Sequence, residues 1–298
     1  MTAPTAINNR YGAALLVAAA SLFTLDVTLL RFLSPDVLFT QIIFFRSACQ
    51  LVIVALWIGA RQPALFRSTR WPKLVLRGLT SLLCWWLYYA SFQRLELALA
   101  STLTFTTSLF VVAMAPLVLG EKISVWRWLT TGAGFIGVII ASKITGLNIE
   151  LGVLFGLGSA FAAAILIFQN RVLARTEHTA TIMFWIGLVA TSGTMPMAIV
   201  SWTGLSPIDV LLLVTASTLA TVGMLLTVEA YRFGEVSALA TFPYLRILFA
   251  IGIGYFVFAE IAAPREWIGA TIIIICGLLA NERRRPVVPQ EKPLGINH

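Results

Sequence analysis

Residues 11–30 read YGAALLVAAASLFTLDVTLL, twenty positions interrupted by one carboxylate, Asp26. A helix of about that length crosses the hydrocarbon layer of a bilayer and satisfies its own backbone hydrogen bonds, which lipid cannot do for it. Arg10 ahead of the run and the small residues Ala18-Ala19-Ala20-Ser21 have the outline of a cleavable signal peptide. The run continues to Leu30, however, too long for a signal core, and a later segment matches it, so it reads as a first span.

Further apolar segments follow at 38–59, 74–93, 98–119, 125–142, 150–168, 180–201, 209–230, 237–258 and 265–281, separated by short breaks rich in charge, Pro or Gly. The chain of 298 residues is 59% hydrophobic and 11% charged, with a mean hydropathy of +0.90, whereas a soluble domain carries roughly a quarter charged residues. The expected fold is therefore an all-α integral membrane protein. The net charge of +8 lies in the loops and gives no reason to expect nucleic acid. Cys49, Cys84 and Cys276 fall inside apolar stretches without paired spacing or a His cluster, so neither disulfides nor a zinc site is expected.

Basic loops stay in the cytoplasm. With both termini inside, that side holds Arg10, the group from Arg61 to Arg77, Lys122, Arg127, Arg171, Arg175, Arg232 and the tail from Arg283 to Lys292. The other side holds Arg31, Arg94, Lys143 and Arg265, and Arg46 and Arg246 are left within the membrane. The expectation is a multi-pass protein of a bacterial inner membrane.

The two halves align on each other. At an offset of 140, Gly12 meets Gly152, Arg31 meets Arg171 and Phe44 meets Phe184; at 139, Glu96 meets Glu235, Glu121 meets Glu260 and Trp128 meets Trp267. A repeat of five spans enters the membrane from opposite sides in its two copies, so the ten-helix expectation is of two inverted repeats, residues 1–145 and 146–281, with a charged cytoplasmic tail at 282–298. Such repeats supply two nearly equivalent arrangements of one scaffold, the basis of alternating access.

Leu119-Gly120-Glu121-Lys122, Phe258-Ala259-Glu260 and Phe242-Pro243-Tyr244-Leu245-Arg246 resemble the EamA-like branch of the drug/metabolite transporter superfamily, and the resemblance covers about residues 12–280. It implies a ten-helix carrier with a central cavity lined by spans 1, 3, 4, 6, 8 and 9, and it draws Tyr244 into the candidate site beside Arg246. The superfamily carries amino acids, nucleotide-derived metabolites, vitamins, amines and drugs, so the resemblance implies transport without a substrate. Where relatives often have Pro in the fourth span, this chain has Thr106-Thr107-Ser108-Leu109-Phe110, which leaves a helix break there open.

Arg46 and Arg246 lie roughly 12–14 Å inside their spans at 1.5 Å per residue. An ionised side chain there costs on the order of 3 kcal/mol on insertion scales and should face a partner inside the bundle. Arg246 reads either as the holder of an anionic group of a substrate or as half of an ion pair with Glu229; Arg46 reads first as a structural partner of Asp26. Asp26 and Glu229 are the candidates for a proton-coupling carboxylate, with snorkelling to the interface as the alternative. Trp85, Tyr88 and Tyr89 share one face of span 3 and could stack on a planar or amphipathic solute, or simply pack. Ser101, Thr104 and Ser108, with Thr107 beside them, could line a polar cavity or bond their own helix.

Gly132-Ala133-Gly134-Phe135-Ile136-Gly137 spells a dinucleotide fingerprint inside a span, where no strand precedes it; Ala133, Gly137 and Ala141 make a flat packing face instead, as do Gly152, Gly156 and Ala160. His178 and His298 are the only histidines, and nothing at catalytic spacing accompanies them. The reading is a non-enzymatic secondary carrier without cofactor, whose partners are a small solute and the bilayer, with a homodimer left open. Its cargo is an amino acid or related zwitterionic or anionic compound, the alternatives being uptake of a nucleoside-like or vitamin-like metabolite, a membrane scaffold or an intramembrane enzyme.

Overall fold

The computed structural model describes residues 8–92, 94–95, 103–121, 123–141, 151–259 and 264–282. Glu96, Ser101, Lys122, Lys143, Glu260 and the tail beyond residue 282 lie outside them. Among the described residues every regular element is helical. The long helices are α1 (Asn9–Leu30), α2 (Phe39–Arg61), α3 (Trp71–Phe92), α4 (Thr107–Leu119), α5 (Val125–Ala141), α6 (Leu151–Ala174), α7 (Thr179–Val200), α8 (Pro207–Phe233), α9 (Leu245–Phe258) and α10 (Pro264–Glu282). Six segments are long and apolar enough to cross a membrane: Asn9–Leu30, Phe39–Arg61, Leu151–Ala174, Thr179–Val200, Pro207–Phe233 and Val236–Phe258. Leu103–Leu119, Val125–Ile140 and Trp267–Cys276 are shorter apolar helices.

Local chemistry sets the helix ends. The Asn8 side chain accepts from the Tyr11 amide at the start of α1, and Ser206 and Asp209 form a reciprocal capping box at the start of α8, with Pro207 in its first turn. Gly120 (φ 66°) ends α4 in the left-handed region, and Ala259 (φ 52°) ends α9 in the same way. These residues stand 139 apart, so the repeat seen in the sequence extends to backbone conformation, even where the second copy has a Cβ that disfavours it.

The packing carries the same symmetry. α1 packs on α8 and α6 on α3; α2 lies on α8 and α7 on α3; α1 meets α9 and α6 meets α4; α2 pairs with α7 and α5 with α10. Exchanging the first five helices with the second five, in order, maps these contacts onto one another, whereas the contact of α6 with α8 has no equal between α1 and α3 among the described residues.

Small residues allow the close approaches. Gly137 faces the Gly269 carbonyl and Ile272 of α10, while Gly156 faces Ser91 and Leu103. A Cβ at Gly187 in α7 would stand 3.0 Å from the Leu51 backbone of α2, and no rotamer change relieves a backbone clash. Gly187→Leu should therefore destabilise the fold by about 1–3 kcal/mol or more, read as a lower melting temperature in detergent. Gly132→Leu, with nothing within 4 Å of the added Cβ, should leave it almost unchanged.

Among the described residues the helical run is interrupted at two related places. Before α9 the chain makes one helical turn, Val236–Leu239, then a 3-10 turn, Phe242–Tyr244, which Pro243 explains. Before α4 the helix is interrupted at Thr106 without any Pro. There the Thr106 hydroxyl donates to the Leu103 carbonyl at 2.6 Å, the kind of back-bonding by which Thr distorts a helix.

The end of the bundle that carries Asn9 is cross-linked by charge. The Glu121 carboxylate accepts from the Val236 and Ser237 amides, both at 3.1 Å, and caps the short turn there. Arg127 donates to Ser237 at 2.6 Å and pairs with Glu235, whose amide donates to Asn9 at 2.9 Å. Buried Arg171 donates to the Tyr231 and Arg232 carbonyls at 2.6 Å each, where the C-terminal dipole of α8 favours a cation.

At the same end His178 Nδ1 accepts from the Ala180 amide at the start of α7, and its ring stacks on Trp57 with centroids 5.9 Å apart. Lost hydration, then nearby Arg232, push the imidazole pKa below 6.5, with Glu229 opposing. As pH falls the unfolded chain takes up this proton first, so the stabilisation is whole above about pH 6.5 and fades through the folded pKa. The melting temperature of the wild type should fall further between pH 8 and pH 5.5 than that of His178→Asn, which keeps an acceptor but cannot titrate.

Candidate functional site

One turn of α1 carries Phe23 and Asp26 on the same face. Arg46 of α2 donates to Asp26 Oδ2 at 2.7 Å, and this pair is deep: the Asp26 side chain is 2% exposed and that of Arg46 25%. Arg246 sits in the first turn of α9, half-buried, directly after the 3-10 break. Both cations lie over the Phe23 ring, with the guanidinium carbon of Arg46 5.8 Å and that of Arg246 5.7 Å from its centroid. Behind the ring Gly223 of α8 makes room, since a Cβ there would lie 3.2 Å from ring carbons.

Among the described residues Arg246 makes no ion pair or hydrogen bond; its contact is with the face of Phe23. The expected reach of Glu229 to Arg246 is not made. Glu229 instead accepts from the Thr179 hydroxyl and lies 3.4 Å from Arg232 Nε, one turn along its own helix. Glu229 belongs to the cross-linked end, where Arg232 of the same helix is its cation.

Tyr88 of α3 is in electrostatic reach of Arg246 first, then of Arg46 and Asp26. Tyr89 meets Tyr88 edge-on at 5.3 Å and stacks on Phe39 of α2 at 5.3 Å, so the aromatic face of α3 stands beside the charged cluster. Trp85, one turn earlier, is half-buried, as is Thr104.

The remaining candidates turn into helix contacts. Thr107 donates to the Ala160 carbonyl of α6 at 3.1 Å. Tyr244 is fully buried against Val138 and Ile273; its hydroxyl donates to the Thr131 carbonyl at 3.4 Å and has Ser108 beside it. Gly134, the middle glycine of the false fingerprint, leaves the space that the Tyr244 ring fills. Sequence reasoning missed Phe23 and Gly223. The signal was available for Phe23, which is three residues from Asp26 on an amphipathic turn.

Apolar helices that turn a small set of charged and aromatic groups inward define a multi-pass membrane protein with an internal polar site, the class to which membrane transporters belong. The model of the EamA-like transporter family matches residues 10–143 and again 150–281, and the chain belongs to that family. Its relatives are named as transporters, not enzymes. The pseudopaline exporter CntI of Pseudomonas aeruginosa (strain UCBPP-PA14) is 25% identical over 281 residues, 92% of this chain and 97% of the relative. The S-adenosylmethionine uptake transporter of Rickettsia prowazekii (strain Madrid E) is 23% identical over 236 residues, 78% and 80% of the two chains. A riboflavin transporter of Vibrio cholerae is 26% identical over 174 residues, 58% of each. A solved crystal structure superposes with a TM-score of 0.74 over 91% of this chain and 96% of the other at 16% identity, which supports the fold alone.

Proposed function

We propose that this protein carries a small amphipathic solute bearing a carboxylate, an amino acid or related compound, across a bacterial inner membrane by alternating access. In this reading ten spans form two inverted repeats that divide near residue 146, and both termini are cytoplasmic. The cross-linked end with Asn9 then faces the cytoplasm. The observation that carries the reading is the cluster on Phe23, where two guanidinium groups face a single carboxylate inside an apolar bundle. The solute carboxylate lies against Arg246, and its apolar part lies along Trp85, Tyr88 and Tyr89 with Thr104 at the margin. Thr107, Ser108 and Tyr244 hold the helices that position Arg246.

The uptake of a nucleoside-like or vitamin-like compound is the second reading. The Tyr88, Tyr89 and Phe39 rings favour it, as do relatives named for S-adenosylmethionine and riboflavin. A thermal-shift panel of amino acids, organic acids, nucleosides and vitamins on the purified protein, followed by flux into protein-only liposomes, separates the two. Stabilisation and flux by carboxylate solutes support the first reading. Stabilisation by uncharged ring compounds alone overturns it.

A further inference from the structure

The charge within the cluster does not balance. Asp26 feels Arg46 and then Arg246, Arg246 feels Tyr88, Arg46 and Asp26, and among the described residues no other carboxylate acts on either Arg246 or Asp26. Two guanidinium groups and one carboxylate leave one positive charge uncompensated at the level of Phe23. Burying such a charge is costly unless a counter-ion arrives, and the arriving solute is the obvious counter-ion. A net-neutral zwitterion supplies a carboxylate but brings its own ammonium with it, so the occupied site stays at plus one.

Resting on the carboxylate-carrier reading above, we infer that the site selects a solute of net charge minus one, an amino dicarboxylate in preference to a neutral amino acid, and moves it as an uncompensated anion. One carboxylate lies on Arg246, which among the described residues has no ion pair or hydrogen bond to displace. The second faces Arg46, whose side chain is 25% exposed, while Asp26, 2% exposed, stays buried against Arg46.

A direction of transport follows. Moving one negative charge outward across a membrane that is negative inside releases about 2.3 kcal/mol per 100 mV, which corresponds to an equilibrium gradient of about 50-fold. The membrane potential alone then drives export, with no coupling ion.

The experiment uses the full chain in liposomes loaded with labelled glutamate, glutamine or lysine, with the potential set by a potassium gradient and valinomycin. Glutamate efflux should accelerate when the interior is made negative and approach the gradient set by the potential. Glutamine efflux should be slower by at least tenfold and indifferent to potential, and lysine should not move. The Asp26→Asn/Arg46→Gln double variant keeps the same excess of one positive charge but loses the contact for the second carboxylate, so its glutamate efflux should fall severalfold while the flux that remains still follows the potential. Glutamate flux that ignores the potential, or glutamine flux equal to it, overturns the inference and leaves the carboxylate-carrier reading standing. Failure of every carboxylate solute to move overturns both.

Discussion

Arg246→Gln should insert and fold normally yet reduce flux of the carboxylate solute by about 30-fold or more, because removing one partner of a desolvated charge pair costs on the order of 2–5 kcal/mol. Folding should survive because Arg246 has no ion pair or hydrogen bond to lose among the described residues, only a face contact with Phe23. The loss falls on binding. Thermal stabilisation by the solute, present in the wild type, should vanish in the variant. Arg246→Lys should lie between the two, since it keeps the charge but gives up the planar fork that grips a carboxylate through two bonds. If both variants bind and transport at the original level, the anion site is elsewhere.

Asp26→Asn should have the opposite profile, a defect in folding before any defect in transport. It removes the partner of Arg46 at a site where the Asp26 side chain is 2% exposed, leaving two guanidinium groups beside one ring without that carboxylate. Breaking a buried pair from one side costs about 3–5 kcal/mol, so the variant should express poorly or melt well below the wild type. Adding Arg46→Gln removes the orphaned cation and should restore most of the loss, as a double-mutant cycle in melting temperature would show. No recovery in the double variant would mean that the pair does not account for the stability of this region. A double variant that folds but no longer responds to a proton gradient would instead make Asp26 a coupling group.

Much of the scaffold could be read from the residues because lipid permits so little else. Twenty apolar positions in a row have one economical solution, and basic loops between such runs give them an order. The interruption at Thr106 could not be read, since the back-bond to Leu103 depends on a rotamer and not on a residue type reserved for breaks. The same holds for Tyr244, which shares a motif with Arg246 but points from a 3-10 turn into the contact with α5 and α10. Glu229 was near enough in sequence terms to either Arg232 or Arg246, and only the fold chose between them.

The charged cluster shows why the site was more legible than its geometry. In register with Asp26, Arg46 and Arg246 the other repeat has Leu166, Ile186 and Thr107. Duplication preserves the residues that pack helices, such as Gly12 with Gly152, and the charges fall where the copies have diverged. Difference between repeats therefore points to function, while identity points to architecture.

The cross-link at the Asn9 end has the same one-sided character. The sequence places Ala98 in register with Ser237 and Glu266 in register with Arg127, so neither the hydroxyl that Glu121 engages nor the cation that Glu235 meets has a counterpart in the other repeat. A single hydrogen bond to a charged group is worth about 1.5–3 kcal/mol, enough to tilt a two-state balance by roughly ten- to a hundredfold. The opposite end has its own tie between the halves, where Asp209 accepts from both the amide and the hydroxyl of Ser34 at 3.0 Å each. The halves share one frame, yet each end is fastened by residues of its own.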